Sequence, residues 1–177
     1  MRGGDVVAIH GIGGLGHLAI QYAKKFGCRT VALSRNPQKE ALARQLGADE
    51  FIDTDSADAA SVTAMGGAQL ILGTAPNSEA ASALIGGLAP GGQLMLVAFG
   101  RGPLEIPQTH LLFGARSVTG WVGGDMRRAV DFSLFAQVQP MVEEFSLEDA
   151  PAAYEKMMNA EVHFRAVLCQ QRNPDAD

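Results

Sequence analysis

Short apolar runs and amphipathic stretches alternate along most of the chain. The runs at 5–10, 30–33 or 34, 50–52, 68–73, 93–98 and 117–122 are rich in Val, Ile, Leu and Ala and predict strands buried on both faces. Between them, apolar residues recur at spacings of three and four, which predicts helices at 14–26, 37–46, 78–88 and 125–135, with a short helical piece at 110–114. In the first helix the apolar face is Leu15, Leu18, Ala19, Tyr22, Ala23 and Phe26, and Gly27 supplies the stop after Lys24 and Lys25. Asn36 followed by Pro37 predicts the cap and first position of the second helix. A further helix is expected to start within Asp55-Ser56-Ala57-Asp58-Ala59-Ala60 and to end before Gly66-Gly67, and Pro90-Gly91-Gly92 is expected to separate the 78–88 helix from the fifth strand.

Strands alternating with helices of this size predict an α/β Rossmann fold: a doubly wound, six-stranded parallel sheet in the order 3-2-1-4-5-6, with helices on both faces. After Val138-Gln139-Pro140 the pattern changes to a strand at 141–145, a helix at 147–158 with Ala150, Ala153, Tyr154 and Met157 on one face, and a strand at 165–169. The expected division is therefore 1–140 as the sheet domain, 141–169 as a tail surplus to the sheet, and 170–177 as a polar, disordered end.

The first strand runs into Gly11-Ile12-Gly13-Gly14-Leu15-Gly16-His17, which matches the dinucleotide fingerprint G-x-G-x-x-G. Gly11 permits the tight turn, Gly13 lets a pyrophosphate approach the backbone, and Gly16 lets the helix pack closely on the strand. With Gly14 and Leu15 these residues form the expected phosphate cradle, because free N–H groups of a helix's first turn attract anions. In a chain with 21 glycines the spacing alone is weak, and the surrounding strand–turn–helix pattern gives it weight.

An acid is expected at the end of the second strand in an NAD-binding fold. Here that position is Ser34, followed by Arg35 and, four residues on, Lys39. No carboxylate repels a 2′-phosphate; Ser34 can donate to it, Arg35 can grip it or stack on adenine, and Lys39 can add a charge. This predicts NADP rather than NAD. The plainer reading of Arg35 and Lys39 is that they are solvated surface groups. The strand ends around Thr74, Ala75, Val97 and Phe99, with 120–123 on the sixth, are expected to line the nicotinamide.

Nothing in the sequence forms a catalytic constellation. His10 reads as a packed core residue, and His17 either approaches the pyrophosphate or packs. No tyrosine–lysine pair stands at helix spacing. The cysteines, Cys28 and Cys169, and the four histidines have no metal-ligand spacing, so no metal ligand is predicted. A net charge of −5 argues against a nucleic-acid partner. No apolar run is long enough to span a membrane, and the cysteine usage and a first strand close behind Met1 point to a cytoplasmic protein.

The glycine motif, together with Leu46-Gly47-Ala48-Asp49, Leu88-Ala89-Pro90-Gly91-Gly92 and Phe164-Arg165-Ala166-Val167, resembles the coenzyme-binding part of the medium-chain, zinc-dependent alcohol dehydrogenases over residues 4–169. Leu33-Ser34-Arg35 and Val162-His163-Phe164-Arg165 look like the NADP-dependent cinnamyl-alcohol and aldehyde reductase branch. The resemblance implies interconversion of primary alcohols and aldehydes with NADP(H), with a catalytic zinc held in a separate N-terminal domain. That domain's motifs are not found here, so the chain alone is expected to be inactive. The resemblance also implies a homodimer formed by antiparallel pairing of the 117–122 edge strand. Two other readings stand beside it: a non-enzymatic NADP(H)-binding module, and a minimal self-contained reductase using His17 or His110 as proton donor.

Overall fold

A computed structural model describes residues 1–55, 59–159 and 161–170. The chain divides into two compact units, Met1–Val138 and Gln139–Asp177. The first contains strands β1 (Val6–His10), β2 (Arg29–Ser34), β3 (Glu50–Asp53), β4 (Ala68–Gly73), β5 (Leu88–Leu96) and β6 (Ser117–Gly120). They form one sheet in the order β3-β2-β1-β4-β5-β6, every neighbouring pair parallel. This is the predicted doubly wound topology, with the reversal of direction between β1 and β4.

All five residues of β1 are buried, as expected of a central strand covered on both faces. On one face, Ala8, Val31, Leu33, Ile71 and Leu94 form the core with Val62, Leu84 and Ile85. On the other, Val7, Ile9, Leu70 and Leu72 border a groove with Leu18, Ala19, Tyr22 and Ala23 of helix α1 (Gly16–Lys25). Helix α1 starts two residues later than the apolar pattern suggests, because residues 13–15 are used in the turn. It ends where expected, with Gly27 at φ 76°. Lys24 in its last turn reaches Asp49 at 2.5 Å, and Asp49 also accepts the Thr30 N–H at 2.9 Å. Burial pulls the Asp49 pKa up, but these two hydrogen bonds and the charges of Lys24 and Arg29 outweigh it and hold the carboxyl below its ordinary value.

After β2, Asn36 caps a single 3-10 turn (Pro37–Lys39) by accepting the Gln38 N–H, and helix α2 (Glu40–Gln45) continues from it. Helix α3 (Ala59–Thr63) lies inside the region read as a helix before Gly66-Gly67; residues 56–58 of that reading lie outside the described residues.

The β4–β5 connection departs from expectation. Helix α4 spans only Ser78–Ala83, a 3-10 turn follows at Leu84–Gly87, and β5 already begins at Leu88. Pro90-Gly91-Gly92 is thus not a break before the strand but an irregularity within it, where the β4–β5 register shifts. Gly91 takes φ 75°, and a Cβ on Gly92 would stand 2.7 Å from the Ala68 carbonyl oxygen. β5 also ends earlier than the predicted 93–98, and β6 earlier than 117–122, although the Trp121 N–H still donates to Leu96 at 3.0 Å.

Helix α5 (Gln108–Gly114) precedes β6, and α6 (Met126–Ala136) follows it, capped by Asp125, which accepts the Arg128 N–H. Phe132 of α6 stacks on Tyr22 and Phe26 of α1, and the Tyr22 and Ser133 hydroxyls lie 2.5 Å apart.

The second unit holds β7 (Glu143–Ser146), α7 (Ala150–Met158) and β8 (Ala166–Cys169), the two strands pairing in parallel. Of the predicted face of α7, Ala153 is buried, whereas Tyr154 and Met157 are exposed. The expected disorder at 170–177 concerns residues that lie, beyond Gln170, outside those described.

Candidate dinucleotide site

The glycine loop sits at the carboxyl end of β1, at the switch point of the sheet, where open α/β sheets bind ligands. Its three signature glycines meet three different constraints. Gly11 has φ 95°, and its N–H donates to the Leu33 carbonyl at 2.9 Å, so the chain turns sharply while tied to β2. A Cβ on Gly16 would lie 1.8 Å from the Gly11 carbonyl oxygen, so α1 can approach the loop only without a side chain there. A Cβ on Gly13 would meet nothing within 4 Å. The bare backbone at Gly13 therefore faces open space, which is what a close-approaching pyrophosphate requires. Gly14 and Leu15 complete the turn, and Leu15, at the cap position, offers no side-chain hydrogen bond to the helix's first N–H groups. Ile12 is buried and anchors the loop. The Gly13 carbonyl receives the His17 N–H at 3.1 Å and lies 3.0 Å from its Nδ1, so His17 is fully buried as part of the loop's framework.

Thr74, at the end of β4, holds the loop from the other side. Its Oγ1 donates toward the carbonyls of His10 and Gly11 at 3.0 and 2.9 Å, and its N–H donates to His10 at 2.9 Å. A hydroxyl read from sequence as facing the nicotinamide thus turns into the glycine loop. Ala75 packs at the same place, 3.1 Å from where a Gly11 Cβ would sit.

At the end of β2, Ser34 is buried and its Oγ accepts the Asn36 N–H at 3.2 Å, which leaves the hydroxyl proton as a donor. Arg35 is exposed. Lys39 reaches back across the loop, its Nζ donating to the Ile12 carbonyl at 2.8 Å. The lysine read as a phosphate contact or a solvated group therefore braces the Ser34–Lys39 segment against the glycine loop.

Beyond the ends of β4, β5 and β6 opens a cleft of about 700 Å³. Leu15, Ala75, Val97 and Phe99 line it, as do Trp121 and Val122. Phe99 is 89% exposed, while Val97 is half-buried and its N–H donates to the Gly73 carbonyl at 3.1 Å. Sequence reasoning missed Asn77 and Ser78, which also line this cleft. Their signal was the N-cap pattern: Asn77 Oδ1 accepts the Ala80 N–H at 3.0 Å, which puts the start of α4 at the cleft wall.

These residues fit a dinucleotide: an open cradle at Gly13, a polar end at Ser34–Arg35 and a largely apolar cleft across the switch point. They do not fit a zinc ion. Among the described residues, no group of three or more His, Cys, Asp or Glu is placed to hold a metal. Cys28 is buried, and burial together with the Asp5 carboxylate pushes its thiol pKa up, away from the thiolate that binds zinc. No helix among the described residues is long and apolar enough to cross a membrane.

Comparison with known proteins agrees with this geometry. An alcohol dehydrogenase, notN, of Aspergillus sp. (strain MF297-2) is 45% identical over 172 residues, covering 95% of this chain and 50% of its own. The alcohol dehydrogenase patD of Penicillium expansum is 45% identical over 170 residues, covering 93% and 49%. Among solved structures, the cinnamyl alcohol dehydrogenase SbCAD4 of Sorghum bicolor superimposes with a TM-score of 0.82 at 31% identity, over 94% of this chain and 48% of that one. The alcohol dehydrogenase of Aeropyrum pernix does so with a TM-score of 0.85 at 27% identity, over 95% and 51%. The chain thus spans about half the length of the curated relatives it matches. Residues 14–142 match the sequence profile of the zinc-binding dehydrogenases, and the chain belongs to that family.

Proposed function

We propose that this chain is the coenzyme-binding module of an alcohol dehydrogenase or aldehyde reductase that interconverts primary alcohols and aldehydes, and that it prefers NADP(H) to NAD(H). The observation that carries the reading is the glycine loop. Gly13 is open where Gly16 is closed, so one residue admits a phosphate and the other locks the helix. The nicotinamide of a bound coenzyme supplies or accepts the hydride. The chain's own residues do the binding. The loop backbone from Gly11 to Gly16 cradles the pyrophosphate, with Lys39 and Thr74 fixing its shape. Ser34 and Arg35 take the 2′-phosphate, where a carboxylate would repel it. Val97 and Phe99 border the nicotinamide cleft.

The coenzyme preference rests on Ser34 and Arg35; the resemblance to the cinnamyl-alcohol branch rests on Leu33-Ser34-Arg35 and Val162-His163-Phe164-Arg165 and is supported by the Sorghum relative's name. Activation of the alcohol or aldehyde oxygen is assigned to a part of the enzyme outside this chain, because the described side chains offer no zinc ligand set. The test is calorimetric titration with NADPH and NADH at one ionic strength. NADPH is expected to bind at least about tenfold more tightly, and Ser34→Asp to abolish that margin by placing a carboxylate beside the phosphate. Absence of binding to either coenzyme, or a preference for NADH, would overturn the reading.

A further inference from the structure

His10 plays no part in the reading above, yet it is the residue immediately ahead of the glycine loop. Only 6% of it is exposed, and its Nδ1 has no hydrogen-bond partner among the described residues. Buried polar nitrogens in native proteins are almost always paired, so an orphan at a ligand-binding strand end points to a missing partner. The backbone there is not loose: Thr74 donates to the His10 carbonyl through both N–H and Oγ1.

Its place in the sheet narrows what that partner is. His10 pairs in register with Leu33, so side-chain alternation puts it on the face of the sheet shared by Ala8 and Leu33. Two residues past Leu33 comes Arg35, just beyond the end of β2. Burial first, and then the Arg35 charge, hold the His10 pKa below its ordinary value, which favours the neutral ring. The cleft beyond β4, β5 and β6 has its own lining, to which His10 does not contribute. His10 also pairs in register with Gly73 of β4, which carries no side chain, so its in-register side-chain neighbour is Leu33, which leads into Ser34 and Arg35 on the β2 side.

Resting on the dinucleotide reading, we propose that His10 is a binding residue for the adenosine half of the coenzyme, its Nδ1 forming a hydrogen bond to the ribose that carries the 2′-phosphate. A neutral imidazole serves as either donor or acceptor to a ribose oxygen, and the fixed backbone pre-orients it.

The test uses the full chain with three probes: NADPH, 2′-phosphoadenosine 5′-phosphate and nicotinamide mononucleotide. His10→Phe is expected to weaken the first two by roughly three- to tenfold and to leave the third unchanged, since one hydrogen bond is lost at the adenosine end only. His10→Asn, whose amide reaches close to the Nδ1 position, is expected to stay within about twofold of the unaltered chain. On the unaltered protein, the ¹⁵N resonance of His10 Nδ1 is expected to move when 2′-phosphoadenosine 5′-phosphate is added, a readout that does not depend on either variant folding. NADPH binding that is equal in the unaltered chain and in His10→Phe, or an Nδ1 resonance that the adenosine probe leaves in place, overturns this inference alone. Failure of the unaltered chain to bind NADPH overturns the dinucleotide reading with it.

Discussion

Gly13 and Gly16 stand three residues apart in one loop, yet an added methyl group meets opposite surroundings. At Gly16 it would collide with backbone, 1.8 Å from the Gly11 carbonyl oxygen, and backbone can move aside only if α1 lifts from the loop. At Gly13 it would enter open space at an ordinary φ. Gly16→Ala is therefore expected to cost about 3 kcal/mol or more of stability, read from the urea midpoint. Gly13→Ala should change stability by no more than about 0.5 kcal/mol, yet weaken NADPH binding at least about tenfold, because the methyl occupies the approach of the pyrophosphate. Equal effects of the two variants on folding would contradict this division of labour. The glycines were legible in the sequence because their spacing encodes local backbone requirements. The loop contacts of Thr74 and Lys39 were not legible. Each joins residues far apart in the chain, as when Thr74 meets Gly11 across 63 residues and Lys39 meets Ile12 across 27.

At the scale of elements, strand order and helix positions followed from hydrophobic periodicity, but the entry into β5 did not. Pro-Gly-Gly normally punctuates, and only the pairing partner shows that it is absorbed here as a bulge against Ala68. The same junction makes the two glycines after α3 unequal. Gly66 and Gly67 both have positive φ, at 92° and 80°. A Cβ on Gly66 would meet nothing, whereas one on Gly67 would stand 2.6 Å from the Ala89 nitrogen and 2.7 Å from its Cα, at the start of β5. Gly66→Ala is expected to cost only the left-handed penalty of about 1 kcal/mol. Gly67→Ala should lose at least about 2 kcal/mol more, because β5 must shift away from the end of α3. Urea denaturation of the pair, with matched slopes, measures the difference. Equal midpoints would mean that β5 yields freely at its bulge.

For the molecule as a whole, the two edges of the six-stranded sheet are unlike. The β3 edge carries Glu50 and Asp53, charges of the kind that discourage strand-to-strand association. The β6 edge reads Ser-Val-Thr-Gly without a charge, and Trp121 and Val122 beyond it are 59% and 92% exposed. Self-association of this chain is therefore proposed to run through β6, as an antiparallel pair of edge strands about a two-fold axis. Because the Trp121 N–H points inward to Leu96, the alternation of a parallel ladder turns the N–H of Gly120 outward, where it has no partner within the sheet. Proline at an edge strand sacrifices only such an outward donor. Gly120→Pro should thus leave the fold and its circular dichroism intact while removing a hydrogen bond that the dimer forms twice by symmetry. Sedimentation equilibrium at high concentration is expected to give twice the chain mass for the unaltered protein, and a shift toward single chains for Gly120→Pro. A single-chain mass for the unaltered protein at that concentration would remove β6 as an association surface and leave its uncharged edge without an explanation in this chain alone.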